Sequence, residues 1–71
     1  MLKCAPGTQA RALPNFAQYL GLKELKGTVL EVKRQGDNGP QNIRRIRFDP
    51  NEFSRTPIEI DVWVGSIQQV Q

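Results

Sequence analysis

Three arginines, Arg44, Arg45 and Arg47, stand within the six residues IRRIRF (43–48), between isoleucines and an aromatic. Arginines at that density can grip a phosphate backbone through charge-assisted, forked hydrogen bonds. On alternate positions of an extended chain they can equally be the solvent face of a strand. The neighbouring charges weigh the two readings. In IEIDVWV (58–64), alternation sets Ile58, Ile60, Val62 and Val64 on one face and Glu59, Asp61 and Trp63 on the other. If Ile46 and Phe48 are core, Arg45 and Arg47 face water and, in a meander, lie against Glu59 and Asp61. Opposite charges facing each other across antiparallel strands stabilise by roughly 0.2–1 kcal/mol per pair. The pattern therefore predicts a strand with paired charges rather than a phosphate rail.

Trp63 is a second candidate. Alternation places it outward, where a large apolar surface is over-represented at binding hot spots. With arginines on the adjoining strand it could stack a base or sandwich a guanidinium. The alternative is that the 14–25 loop or the N-terminal arm covers it. A further basic group, Arg11, Lys23, Lys26, Lys33 and Arg34, has only Glu24 and Glu31 near it in sequence. It is less compensated than the arginine stripe and so the better phosphate-contact candidate; its bland reading is a solvated face. Residues 1–35 carry a net charge of +4 and residues 36–71 a net charge of −1, so the basic excess lies away from IRRIRF.

Catalysis finds little to work with. The chain has no histidine, no P-loop, no Gly-x-Ser-x-Gly elbow and no HExxH. Asp49, Glu52, Glu59 and Asp61 could supply neighbouring carboxylates, but Asp49 reads as a turn residue and the others as surface partners. Cys4, the single cysteine, excludes a disulfide and, without histidine, the usual zinc patterns. It is expected in a flexible arm, with only Lys3 beside it. The sequence predicts no enzyme, no cofactor and no metal. MLKCAPG is too short in apolar residues for a signal-peptide core or lipoprotein anchor, and no later run approaches a membrane span. With one lone thiol, the expectation is a soluble, cytoplasmic protein.

The elements that must position these residues are short. In a chain of 71 residues, turn formers recur at close intervals. Thr8–Leu13 is predicted as a strand between Pro6-Gly7 and Pro14-Asn15. FAQYL then reads as a short helical turn, with Asn15 as N-cap and Gly21 as stop. In Thr28–Gln35, Leu30 and Val32 are expected to point inward. GDNGP (36–40) reads as a hairpin loop, Ile43–Phe48 as the next strand, Ile58–Val64 as the fourth and SIQQV as the last. Leu30, Val32, Ile46, Phe48, Ile58, Ile60, Val62 and Val64 are the expected core, closed by Leu13 and Val70.

This order predicts an all-β fold: a small five-stranded antiparallel SH3-like barrel with one short helical turn, residues 8–71, behind a flexible arm, 1–7. An OB-fold barrel is the alternative. RIRFDPNEFSRTPIEIDV resembles the OB-type RNA-binding part of ribosomal protein L2, where a strand ends in a similar aromatic-Asp-Pro-Asn turn; that resemblance implies RNA binding. GTVLEV followed by a strand ending in FDP is similar to the variable chain of ferredoxin–thioredoxin reductase, an SH3-like barrel; that resemblance implies a non-catalytic, protein-binding partner subunit.

The functional expectation is a binding module for nucleic acid, DNA or RNA, through Trp63, Arg11, Lys23, Lys26, Lys33, Arg34, Arg45 and Arg47. The alternative is a small protein-binding accessory subunit or modulator of a larger complex, such as a mobile element's inhibitor of a host protein.

Overall fold

Alternating apolar and polar residues in short runs give short strands, and the computed structural model shows five of them. It describes residues 2–52 and 54–70; Met1 and Gln71, the outer ends of the expected arm and domain, and Phe53 of the NEFSRTP loop lie outside the described residues. The order is β1 (Gln9–Ala12), α1 (Pro14–Tyr19), β2 (Lys26–Lys33), β3 (Ile43–Phe48), β4 (Ile58–Trp63), a one-turn 3-10 helix (Val64–Ser66) and β5 (Ile67–Gln69). All ladders are antiparallel, in the sheet order β4-β3-β2-β1-β5. The 3-10 turn carries the chain from one edge of the sheet to the other. Among the described residues no ladder joins β4 to β5, so where an SH3-like barrel was expected the strands form one open antiparallel sheet. No helix lies between β3 and β4 among those residues, which removes the basis of the OB alternative. None of their helices is long and apolar enough to cross a membrane.

The helix starts two residues earlier than Asn15 as N-cap would set it. Leu13 is the N-cap and Pro14 the first helical residue, a position where proline's fixed φ suits the helix and its missing N–H costs nothing. Its end follows the sequence. Gly21, at φ 75°, donates to the Gln18 carbonyl while Leu22 donates to that of Ala17, the paired bonds of a glycine-terminated helix. The turn aims Leu22 into the core beside Ala17, and Phe16 stacks on Phe48 with ring centroids 6.4 Å apart.

The register of β2 departs from expectation. Val29 pairs with Ile46 and Glu31 pairs with Arg45, so Leu30 is the extra residue of a β-bulge. Before the bulge Gly27 and Val29 point inward; after it Val32 does. Leu30, placed in the core by simple alternation, is exposed, and Val29 is buried in its stead. One two-residue period cannot bury both Val29 and Val32, and the inserted residue lets the strand do so. Gly27 is required by contact: a Cβ there would strike the backbone of Arg47 and Phe48 on β3.

The core is Cys4, Ala10, Ala12, Ala17, Leu22, Leu25, Val29, Ile46, Phe48, Val62 and Ile67, with Phe16, Leu20, Ile60 and Val64 packed against it. Of the expected set, Ile46, Phe48 and Val62 are buried, whereas Val32, Ile58, Ile60, Val64, Leu13 and Val70 are half-buried.

Residues 3–7, expected as part of a free arm, are instead tied to three strands. Gly7 donates to Val29 and Cys4 to the Gln69 side chain at 3.4 Å, while Lys3 and Cys4 accept from Arg44 on β3. Cys4 has no exposure and a φ of 54°, rare for a residue with a side chain. Arg44 shares the inward side of β3 with Ile46 and Phe48 and is 1% exposed. Its Nε donates to the Lys3 and Cys4 carbonyls at 3.1 and 3.2 Å, Nη1 to Gln41 and Ile43 at 2.7 and 3.1 Å, and Nη2 to Lys3 at 2.8 Å. The buried cation is held entirely by carbonyl dipoles, with no carboxylate at ion-pair distance among the described residues.

Candidate functional site

The ladders arrange the outward face of the sheet in rows. Lys33, Ile43 and Trp63 form one row, Glu31, Arg45 and Asp61 the next, and Thr28, Arg47 and Glu59 a third. Towards the other edge, Arg11 sits between Lys26 and Gln68.

In the middle rows the charges are matched. Arg47 pairs with Glu59 at 3.3 Å, and Arg45 reaches Asp61 at 3.4 Å and Glu59 at 3.8 Å. Lys33 closes the network on Asp61 at 3.3 Å. Partial desolvation pushes the Asp61 carboxyl up, but hydrogen bonds from Lys33 and Arg45, with their charges, outweigh it and hold the group below its ordinary value. Arg45 and Arg47 thus lie opposite Glu59 and Asp61, as the strand reading required. The stripe is a charge-paired sheet face.

The second basic group does not assemble into one patch. Lys26 and Lys33 bound β2 at opposite ends, about 23 Å apart at the usual strand rise. Lys26 is paired with Glu24 at 3.3 Å. Arg34 turns back into the hairpin and donates to the Gly39 carbonyl at 3.2 Å. Arg11 donates to the Gln68 side chain at 3.4 Å and lines a shallow cleft with Lys23, Glu24 and Pro14. Of the five, only Arg11, Lys23 and Lys26 come together.

Trp63 is where alternation put it, on the outward face and exposed. It is 53% exposed, at the end of β4 and directly across from the half-buried Ile43. The row Lys33–Ile43–Trp63 is therefore an apolar pair flanked by one cation whose carboxylate partner is on the next row. Tyr19, 88% exposed at the last turn of α1, is an exposed aromatic that no periodicity flagged. Arg44 takes no part in this face: it lies inward with Ile46 and Phe48, as its parity implied. No protein-family model, curated protein or solved structure matches the chain.

Proposed function

We propose that the chain is a non-enzymatic binding module whose partner is a protein, anchored on Trp63. The observation that carries the reading is the half-exposed indole beside Ile43, next to charges that are already paired. Phosphate recognition draws on uncompensated cations. Lys26, Lys33, Arg45 and Arg47 each have a carboxylate within 3.4 Å, which leaves them little attraction for a polyanion. An apolar anchor inside a rim of satisfied polar groups suits a protein surface instead. The same proposal places the chain in the cytoplasm, where the free thiol of Cys4 stays reduced.

Binding of DNA or RNA is the second reading, and one observation favours it. Arg11 and Lys23 line one cleft, and neither has a carboxylate at ion-pair distance among the described residues.

Titration with mixed single- and double-stranded DNA and RNA at two salt concentrations separates the two. The protein reading expects no binding near physiological salt. It also expects Trp63→Ala to abolish the capture of proteins retained by the parent chain at equal loading. Oligonucleotide binding near physiological salt that weakens steeply with added salt, and that is lost on replacing Arg11 and Lys23, refutes it in favour of nucleic acid.

A further inference from the structure

We propose that β4 accepts an extended segment of the protein partner as an added strand, with apolar residues at alternate positions and basic residues between them. The inference rests on the protein-binding reading and gives the partner its chemistry.

The first observation is the edge itself. β4 is the terminal strand of the sheet, and no backbone hydrogen bond among the described residues reaches its outer side. Its six residues are enough to template a partner strand. The opposite edge, β5, has three residues and offers much less.

The second observation is what lies beside the edge on the inward side. Leu20, Leu22, Leu25, Phe48, Asn51, Ile58 and Ile60 line a cavity of about 200 Å³. Ile58 and Ile60 are only half-buried in consequence. A strand added at β4 shares its pleat, so every second side chain points towards this cavity. Valine, isoleucine or leucine at those positions completes the burial that the open sheet leaves unfinished.

The third observation is charge. The outward side chains of β4 are Glu59, Asp61 and, at its end, Trp63, so two of the intervening residues of an added strand lie directly beside carboxylates. Their cation partners sit on the far side, Arg45 and Arg47 on β3 and Lys33 on β2. Already paired, these carboxylates give a preference rather than a requirement: lysine or arginine opposite them is favoured over an acid, which would face a like charge.

The same charges disfavour a second copy of this chain as the occupant. Two β4 strands pairing about a two-fold axis must set outward residues against outward residues. In the two registers that pair most of the strand, either Glu59 faces Asp61 of the second copy or the two Asp61 side chains face each other. Both put like charges directly opposite.

The test uses synthetic peptides, so that the protein is left unaltered. One alternates valine and lysine; a second alternates valine and glutamate; two more repeat the first with one or the other alternate set of amides N-methylated. Binding is followed by amide chemical shifts and by the fluorescence of the single tryptophan, Trp63. The basic peptide is expected to shift amides of residues 58–62 and of Leu20, Leu22 and Leu25. Glutamate in place of lysine, and methylation of the set facing β4, should each weaken binding about tenfold or more. Equal binding of both methylated peptides and their parent overturns strand addition. So do shifts confined to Trp63, Ile43 and Lys33, an outcome that leaves the protein-binding reading standing. Self-association through β4 in sedimentation also overturns it, while failure of the broader reading is seen separately in the oligonucleotide titration.

Discussion

Arg44→Met tests the hold of one buried cation on the N-terminal segment. Methionine fills most of the stem's volume but donates nothing, so the carbonyls of Lys3, Cys4, Gln41 and Ile43 lose the donor that joins them. A hydrogen bond to a charged group contributes about 1.5–3 kcal/mol, and an acceptor stranded away from water costs about 1–3 kcal/mol. The contact to the Cys4 carbonyl is fully buried, whereas the others are part-buried and water can replace some of what they lose. Removing the guanidinium also removes its desolvation cost, which offsets part of the damage. The net expectation is a loss of about 2–4 kcal/mol, against about 4–11 kcal/mol for a whole domain of this length.

The loss should be local first, because among the described residues Cys4, in its left-handed conformation, is otherwise held only by packing and one 3.4 Å bond to Gln69. Two measurements check this. Urea denaturation followed by far-ultraviolet circular dichroism gives the global change. The rate at which a thiol reagent labels Cys4 under native conditions gives the opening of the segment, since the side chain has no exposure when closed. A weakening of 2–4 kcal/mol corresponds to labelling faster by about 30- to 900-fold. Unchanged stability with Cys4 still protected would refute the reasoning, and so would a parent protein whose Cys4 already labels freely.

Three further outcomes follow from the same geometry. Val29→Lys should unfold much of the domain, whereas Leu30→Lys should change stability by no more than about 0.5 kcal/mol, since only Val29 is buried; the reverse ranking in urea would move the bulge. Arg47→Glu should cost roughly 0.2–1 kcal/mol and Glu59→Arg in the same chain should recover it, a double-mutant cycle on the 3.3 Å pair. Asp61 sits below its ordinary value when folded, so its contribution is complete above the unfolded value and disappears as pH falls through the folded one. Asp61→Asn should therefore lower the melting temperature at neutral pH, and the difference from the parent should shrink as pH falls through the folded value.

What the sequence discloses depends on whether a signal is local. β3 is legible to the residue, because Ile43–Phe48 alternates cleanly between a turn cluster and Asp49-Pro50. Its partner is legible too: charges of opposite sign on two neighbouring strands imply their register, and Arg45 and Arg47 do face Asp61 and Glu59. Gly21 announces the end of α1 for an equally local reason, its freedom at positive φ. The bulge at Leu30 is not local. Four residues, Val29-Leu30-Glu31-Val32, offer two incompatible alternations, and only the inward residues of β3 decide between them. The docking of Cys4 is likewise invisible, because its partner Arg44 is 40 positions away. Small residues mislead for another reason: Ala10 and Ala12 carry little apolar signal, yet they are buried where β1 passes under the core. Trp63 was readable as outward from its parity alone, but the dispersal of the basic group was not, since the length of β2 separates residues that seem adjacent in a list.

The bulge also determines the candidate site, and deletion can show it. Without an inserted residue, the alternation that buries Val29 would turn Glu31 and Lys33 inward and Val32 outward. The extra residue restores Lys33 to the outward row with Ile43 and Trp63, and sets Val32 across from Arg44. Deleting Leu30 should therefore leave every other side chain of β2 on its present face, at the expense of the local twist that a bulge adds. Deleting Val32 should be far worse, because Lys33 would then take the inward position opposite a guanidinium that is already buried. Circular dichroism and amide shifts of the two deletion variants make the comparison. The expected result is a folded Leu30 deletion that keeps the Lys33–Ile43–Trp63 row and its binding, beside an unfolded Val32 deletion. Equal damage from both would mean that Leu30 is not the inserted residue, and that the outward rows are set by something other than the bulge.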